Sequence, residues 1–199
     1  MILQLDNVDV GYKKPIIEDL SLGIKQGQTI LLKGLNGSGK STLIRSICGL
    51  QPILKGELKI NGEILDKSNH NRIVKNACSV LLTSALMANG ITVQEYLDLH
   101  ENTLDPEELK FLKASFEIDK LLSKKLDEIS DGEKQKVLLV KTLSKKASLY
   151  ILDEPTTFLD YRAKDVFYNS LAAANEKTFL VSSHDIERME AICDGVVEV

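Results

Sequence analysis

The 199-residue chain has few of the features that mark secreted, membrane-spanning or nucleic-acid-binding proteins. Its three cysteines, Cys48, Cys78 and Cys193, are odd in number and lie outside any metal-ligand spacing. That pattern argues against a disulfide framework and indicates a reducing cytosol. The first residues lack the basic stretch and apolar core of a secretory signal, and no apolar run is long enough to cross a bilayer. We therefore expect any role at a membrane to depend on a separate subunit.

Positive charge is also not in excess. The formal net charge of −4 gives no electrostatic reason to expect a nucleic-acid partner. The sequence contains no internal repeat, no low-complexity tract and no linker. With 43% apolar residues the chain can fill a real core, so we expect a single domain over residues 1–199.

Residues 34–42 read GLNGSGKST, which is the phosphate-binding loop pattern G-x-x-x-x-G-K-[ST]. The apolar, β-branched run before it predicts a buried strand, and the run after it has helical spacing. This context disfavours the alternative of a glycine-rich turn that only happens to precede a helix. We expect backbone N–H groups and the helix start to hold a polyphosphate. The expected nucleotide-binding residues of the loop are Asn36, Gly37, Ser38, Gly39, Lys40, Ser41 and Thr42.

Three side chains of this loop have distinct expected roles. Lys40 should reach the β- and γ-phosphates as a point charge, and Ser41 should offer its hydroxyl to Mg²⁺. Thr42 should support the α-phosphate side. The ligand that this arrangement implies is a nucleoside triphosphate with its magnesium ion.

A second group of polar residues follows the apolar strand predicted over residues 149–152. Because parallel strands present their carboxyl ends at the ligand crevice, Asp153 should lie beside the phosphate-binding loop and hold Mg²⁺. Glu154 should orient or deprotonate the attacking water. Acids at a strand end are common in α/β proteins, so the phosphate-binding loop is what makes this pair informative.

The rest of the chain shows a change of organisation along its length. Alternating apolar strands dominate the amino-terminal third, where Asn61-Gly62 predicts a type I′ hairpin. Residues 84–143 are mainly helical, with an S/T-x-x-E capping box starting at Thr92 and an N-cap at Asp105. Strands and helices then alternate, which implies parallel pairing.

Taken together, the chain resembles the nucleotide-binding subunit of an ABC (ATP-binding cassette) transporter over nearly its whole length. The further motifs that carry this resemblance are the signature at 129–133 (ISDGE), the Walker B strand at 149–154, the D-loop at 157–160 (TFLD), the switch histidine His184 and the adenine-stacking Tyr12.

The resemblance implies a fold and a reaction. The fold is an α/β P-loop NTPase with a mixed sheet core, an N-terminal antiparallel β subdomain and a small helical subdomain at about 84–143. The reaction is ATP hydrolysis that powers transport through ATP-driven dimerisation. The catalytic residues would be Glu154, His184 and Lys40, and the signature and dimer-interface residues would be Ser130, Asp131, Gly132, Glu133 and Asp160.

The resemblance also implies partners. A second cassette, as a homodimer or a heterodimer, would complete each ATP site, and a separate transmembrane permease would dock near residues 80–100. The chain would then be cytoplasmic and peripheral on the inner face of the cell membrane. ATP and Mg²⁺ are the implied cofactors, and no nucleic acid is expected.

Several matched residues also have a purely structural interpretation. Ser130 and Glu133 form an S-x-x-E capping box that any helix could use, and Asp160 could simply N-cap the helix that follows it. Tyr12 could be a packed strand aromatic, and His184 a structural or exposed residue at a strand end. A capped helix start is still an anion site, so the two interpretations of Ser130 are compatible.

The chain departs from the family pattern in three places. Thr83 is the best match to the glutamine that touches the metal, and its shorter side chain would need a bridging water. Asp131 and Glu133 replace a glycine and a glutamine of the usual L-S-G-G-Q signature. The compact size is similar to that of the haem-exporter ATPase of cytochrome c maturation.

Three other functions are compatible with parts of the sequence. A GTPase or small-molecule kinase would carry the loop, but the N-K-x-D guanine motif is missing. A soluble ABC ATPase acting on DNA or ribosomes would need a long heptad insertion or two cassettes. A regulatory subunit that binds ATP and scarcely hydrolyses it is kept open by Thr83.

Overall fold

The apolar and β-branched runs of the sequence form two separate sheets. A computed structural model describes residues 1–82 and 90–199. Within those residues the strands are β1 (Leu3–Gly11), β2 (Pro15–Ile24), β3 (Thr29–Lys33), β4 (Lys55–Ile60), β5 (Glu63–Ile64), β6 (Cys78–Leu81), β7 (Leu149–Asp153), β8 (Phe179–Ser182) and β9 (Gly195–Glu198).

Helices connect the strands and form most of the middle of the chain. They are α1 (Lys40–Ile47), α2 (His70–Ala77), α3 (Val93–Asp98), α4 (Pro106–Ser115), α5 (Asp131–Ser144), α6 (Tyr161–Ala173) and α7 (Ile186–Glu190), with short 3₁₀ helices at Glu101–Thr103 and Asp119–Leu121. The predicted capping box at Thr92 and the N-cap at Asp105 are both present at helix starts.

The first sheet is antiparallel and has the strand order β2-β1-β4-β5. Its β4–β5 hairpin turns at Asn61 and Gly62, whose φ angles of 51° and 79° are both positive, as a type I′ turn requires. This sheet is the predicted N-terminal antiparallel part of the molecule.

The second sheet has the order β6-β7-β8-β3-β9, and its described pairings are all parallel. Because β8 pairs with β3 and β7, Ser182 lies opposite both Leu32 and Asp153. The carboxyl ends of β3, β7 and β8 therefore meet in one row. This row places the phosphate-binding loop, which follows β3, beside Asp153 and Glu154.

Both faces of the parallel sheet are buried, since successive strand residues point to opposite sides. One apolar cluster includes Leu31, Leu152 and Phe179 and packs against the helices of the middle segment. The other includes Leu32 and Ile151 and packs against α1 and the antiparallel sheet. The parallel sheet is thus the central layer that links the two halves of the molecule.

The α/β P-loop class with an antiparallel β part is confirmed. A mixed core would combine parallel and antiparallel strands in one sheet. Among the described strands, the antiparallel pairs lie in the first sheet and the parallel pairs lie in the second. The division into one domain with a helical subdomain at about 84–143 stays a prediction, and part of that span lies in 83–89, outside the described residues. None of the described helices has the length and apolar character that spanning a membrane would need.

Candidate functional site

The phosphate-binding loop adopts a tight turn that needs its glycines. Gly37 and Gly39 have φ angles of 83° and 110°, a region that residues with a side chain rarely adopt. A Cβ at Gly39 would lie 2.9 Å from Cγ2 of Ile16. The loop can therefore approach β2 only because position 39 has no side chain.

The loop ends at the start of α1, and one of its N–H groups, that of Ser38, donates to the Leu35 carbonyl oxygen at 3.1 Å. Gly39 is the N-cap of α1, and no side chain caps that helix start. The hydroxyl oxygen of Ser38 is buried and has no hydrogen-bond partner among the described residues. Uncapped N–H groups and a buried orphan hydroxyl at a helix N-terminus are the features of an anion site.

Lys40 is buried, with 7% of its surface exposed, and its ammonium group turns back onto the loop. Nζ donates to the carbonyl oxygens of Gly34 at 2.8 Å and Leu35 at 3.1 Å. An ammonium has three donors, so these two bonds leave one for a further acceptor. The loop thus contains a buried positive charge held close to the start of α1.

Asp153 is the point where three segments of the site meet. Its Oδ1 accepts hydrogen bonds from Ser41 Oγ at 3.3 Å and from Ser182 Oγ at 2.7 Å. Ser41 opens α1, Asp153 ends β7 and Ser182 ends β8. The predicted proximity of Ser41 and Asp153 is therefore observed, although the two residues are 112 positions apart.

Glu154 is held in a strained backbone conformation next to this row. Its φ is 52°, and its N–H donates to Ser182 O at 3.2 Å and Ser182 Oγ at 3.0 Å. A non-glycine residue in this region costs on the order of 1 kcal/mol or more. Such strain persists only where the surroundings dictate the conformation. Here the two hydrogen bonds from the Glu154 N–H to Ser182 of β8 hold the backbone in place.

The Glu154 carboxyl is largely buried, with 12% of the side chain exposed, and faces His184. Oε1 lies 3.4 Å from His184 Nε2 without hydrogen-bond geometry, and Oε2 accepts from the His184 N–H at 3.2 Å. Burial raises the pKa of this carboxyl, while His184 and Lys40 act in the opposite direction. A buried, ionisable carboxyl with an unused acceptor oxygen is suited to bind and deprotonate water.

The signature residues form the start of α5. The Ser130 hydroxyl accepts from the Glu133 N–H at 3.3 Å, and Glu133 Oε2 accepts from both the N–H and the hydroxyl of Ser130 at 2.9 Å. These bonds lower the pKa of the Glu133 carboxyl. Asp131 pairs with Lys134 at 3.3 Å. The capping-box interpretation is thus correct as structure, and it leaves the helix start at the surface.

The D-loop lies directly against this helix start. A Cβ on Gly132 would be 2.8 Å from the carbonyl oxygen of Phe158, so the two segments touch because position 132 is glycine. Asp160 caps α6 by accepting from the Ala163 N–H at 2.8 Å, and it pairs with Lys136 of α5 at 2.7 Å. This contact to Lys136 is the main reason that the pKa of Asp160 is lowered.

The structure therefore forms two groups from the predicted site residues. The loop, Asp153, Glu154 and His184 make one group, and residues 130–133 with Asp160 make the other. In the part of the chain that the structure describes, no hydrogen bond or ion pair joins residues 130–133 to residues 34–42. Tyr12 follows the end of β1 and is 62% exposed, so the interpretation of Tyr12 as an aromatic residue packed within a strand is wrong. Thr83 lies outside the described residues.

Ser182 is a site residue that the sequence motifs did not identify. It is fully buried, donates to Asp153 and accepts from the Glu154 N–H, so it orients both acids. The available signal was its position at the end of an apolar strand, the same position that Asp153 has in β7. Recognising its role required the neighbouring strand to be known.

The residues present fit a polyphosphate and a hard cation. The orphan Ser38 hydroxyl, the uncapped α1 start and Lys40 suit phosphate oxygens. Ser41 Oγ and the carboxylate of Asp153 supply the oxygen ligands that Mg²⁺ prefers.

The sequence matches the family model described as ABC transporter over residues 17–157. It is 32% identical over 206 residues to the manganese transport system ATP-binding protein MntB of Bacillus subtilis (strain 168), covering 98% of this chain and 82% of that protein. A solved structure described as the ATP-binding subunit of an ABC transporter superposes with a TM-score of 0.90 at 27% identity, covering 100% of this chain and 86% of the other. A dimeric ATP-binding cassette bound to ADP and Pi has the same fold, with a TM-score of 0.86 at 23% identity and coverage of 99% and 94%.

Replacing Ser182 by alanine should destabilise the fold. The change removes a buried donor to Asp153 and a buried acceptor for the Glu154 N–H, which costs about 1–3 kcal/mol. Urea unfolding should show the loss as a lower midpoint. The control is Ser170→Ala in α6, whose half-buried hydroxyl bonds only to Val166 O, and its effect should stay within about 0.5 kcal/mol. Equal midpoints for the two variants would show that Ser182 does not hold the acids.

The raised pKa of Glu154 predicts a pH-dependent stability. Because the carboxyl binds its proton more tightly in the folded chain, its favourable contribution is complete below the unfolded-state pKa and is lost as the pH rises through the folded-state pKa. Glu154→Gln removes this loss, so its stability advantage over the parent chain should grow with pH. Unfolding free energies measured between about pH 4 and pH 8 would test this.

The control for this series is Glu176→Gln, which removes a carboxyl from an exposed position. An advantage of Glu154→Gln that shrinks as the pH rises would contradict the burial argument.

Proposed function

This chain belongs to the family of ABC transporter ATP-binding subunits and is an ATPase, and on that premise we propose how its residues bind and hydrolyse ATP and where the missing half of the site comes from. Family membership favours the hydrolysing transport subunit over the regulatory alternative and over the GTPase and kinase rivals. One observation carries the assignment of residues. Asp153 Oδ1 accepts from Ser41 of the loop helix and from Ser182 of the adjacent strand, which brings the loop and both acids into one cradle.

The loop holds the triphosphate of ATP. The N–H groups at the uncapped start of α1 and the positive end of that helix face the phosphates. Lys40 exchanges its bonds to Gly34 and Leu35 for the β- and γ-phosphate oxygens, which is a small movement for a long side chain. Thr42 supports the α-phosphate side, and the exposed Tyr12 stacks on the adenine.

Ser41 and Asp153 are the residues that would hold Mg²⁺, because their oxygens converge at 3.3 Å. Held there, the ion would offset part of the negative charge of the phosphate groups. Thr83 is proposed as a further contact through a bridging water. Ser182 keeps the Asp153 carboxylate oriented from the other side.

Glu154 is the proposed general base. A water held by its free Oε1 attacks the γ-phosphorus, and the bond from that phosphorus to the β–γ bridging oxygen breaks while Glu154 takes the proton. The raised pKa of the carboxyl favours this proton transfer. His184, 3.4 Å from Oε1, contacts the γ-phosphate and keeps the carboxyl in place.

A second cassette supplies the other wall of each site. The α5 start with Ser130 and Gly132 lies apart from the loop within one chain and stays at the surface, so it is available to the γ-phosphate bound by the partner. The Ser130 hydroxyl would exchange Glu133 for a phosphate oxygen. Asp131 and Asp160 lie at the same interface. Two chains related by a two-fold axis then enclose two ATP molecules.

A separate permease completes the assembly and places the chain at the inner face of the membrane. We propose docking near residues 80–100, where Leu99 of the described part is 47% exposed. Hydrolysis removes the γ-phosphate contact, the dimer opens, and the permease follows this motion.

Two substitutions separate binding from chemistry. Lys40→Ala should weaken ATP binding on the order of tenfold to a hundredfold, because a charge-assisted hydrogen bond is lost. Glu154→Gln should bind ATP normally, lose on the order of a hundredfold or more in kcat, and accumulate as an ATP-bound dimer. Equilibrium binding, phosphate release and gel filtration with ATP measure these effects.

Glu176→Gln serves again as the matched control and should leave all three measurements unchanged, since this glutamate is exposed and outside the site. Hydrolysis by Glu154→Gln at the parental rate would show that the base is assigned to the wrong residue.

A further inference from the structure

A cleft of about 650 Å³ lies beside β6, outside the cradle that holds ATP. It is bounded by α2 and by the segment from α3 to the end of α5. Its volume is in the range of small-molecule sites. The lysines of its lining, within the described chain, are Lys75, Lys141, Lys145 and Lys146, and His100 lies beside them. This cationic lining contrasts with the net charge of −4 of the whole chain.

Lys141 of α5 is half-buried in this cleft. Its Nζ donates to the carbonyl oxygen of Tyr96 and lies 4.0 Å from the centre of the Tyr96 ring. Burial lowers the pKa of Lys141 to about 8, with Asp98 acting in the opposite direction. Burial therefore disfavours the charged form of Lys141, and the group that anchors its ammonium, the Tyr96 carbonyl, is neutral.

Lys145 follows directly after the end of α5 and is also anchored by backbone carbonyl groups. Its Nζ donates to the carbonyl oxygens of Cys78 at 2.6 Å and Lys75 at 3.2 Å. Burial also lowers its pKa, and Lys75 adds to that effect. Lys145 is the C-cap of α5 and has an extended backbone, and its side chain lines the same cleft as that of Lys141.

Two other partly buried lysines, in contrast, pair with carboxylates. Lys136 pairs with Asp160 at 2.7 Å, and Lys177 pairs with Glu108 at 2.6 Å. Within residues 1–82 and 90–199, no carboxylate lies within 4.0 Å of Lys141 or Lys145.

The ends of α2 and α5 compensate for only part of this charge. Both helices finish at the cleft, at Ala77 and Ser144. Each helix end carries about half a negative charge, so the two together offset about one of the four lysines. Even if the lysines serve to compensate the two helix ends, the cleft keeps an excess of positive charge.

We propose that this cleft is a binding site for a small multivalent oxyanion of the phosphate type, held by the ammonium groups of Lys141 and Lys145. Each ammonium keeps its backbone anchor and offers a remaining donor to the anion. The anion supplies the negative charge that the lining lacks. Lys75 and Lys146 lie around the same space and add long-range attraction.

Calorimetric titration with inorganic pyrophosphate tests this site. The full chain carrying Lys40→Ala is the starting protein, since that change removes the lysine of the ATP loop. Adding Lys141→Met and Lys145→Met should weaken pyrophosphate binding on the order of a hundredfold, at least tenfold, because charge-assisted hydrogen bonds are lost. Methionine keeps the apolar stems, and circular dichroism checks that the variant is folded.

The matched control is Lys40→Ala with Lys67→Met and Lys110→Met, which removes two exposed positive charges elsewhere. Its affinity should stay within about twofold of the starting protein, since these lysines lie outside the cleft. If the cleft variant binds like this control, or the starting protein binds no pyrophosphate, the proposal is wrong.

Vesicles containing an anionic phospholipid distinguish the source of the phosphate group. Lysine-dependent binding to vesicles without binding of pyrophosphate would overturn the assignment to a small anion. Because the test uses a chain without Lys40, its result does not depend on whether the loop and Glu154 hydrolyse ATP as proposed.

Discussion

The site depends on one constraint, which is that three parallel strands end side by side and bring their polar ends into one row. Asp153, at the end of β7, accepts from Ser182 at the end of β8 and from Ser41 at the start of α1. Asp153 and Ser182 are shielded from water, so both need partners from the protein. Parallel pairing sets the row, and the mutual hydrogen bonds then keep the loop, the acids and His184 together.

Some features of the candidate site reduce the stability of the fold. Glu154 has a positive φ and a largely buried carboxyl, which oppose stability yet leave an ionisable oxygen without a hydrogen-bond partner among the described residues. Gly39 allows the loop to approach β2, since a Cβ there would lie 2.9 Å from Ile16 Cγ2. At the start of α5 the structural and functional interpretations coincide, since the capping box at Ser130 stabilises the helix and also leaves its positive end at the surface.

Net charge describes this molecule poorly at the scale of a site. The chain is acidic as a whole, yet Lys141 and Lys145 both line a cleft that also has other basic residues in its wall. Their anchors are carbonyl oxygens of residues far away in the chain, at Tyr96 and Cys78. Composition could exclude an overall basic surface, but it contained no information about this local concentration of charge.

Local patterns were sufficient for much of the fold and for half of the site. The loop, the strands beside it, the hairpin at Asn61 and the caps at Thr92 and Ser130 all depend on residues within a few positions of each other. Ser182 as the partner of Asp153, 29 positions away, and the meeting of Lys141 with Tyr96, 45 positions away, depended on how the chain folds back. Spacing along the sequence encodes hydrogen bonds inside a turn or a helix end, whereas contacts between elements exist only after strand order, register and packing bring them together.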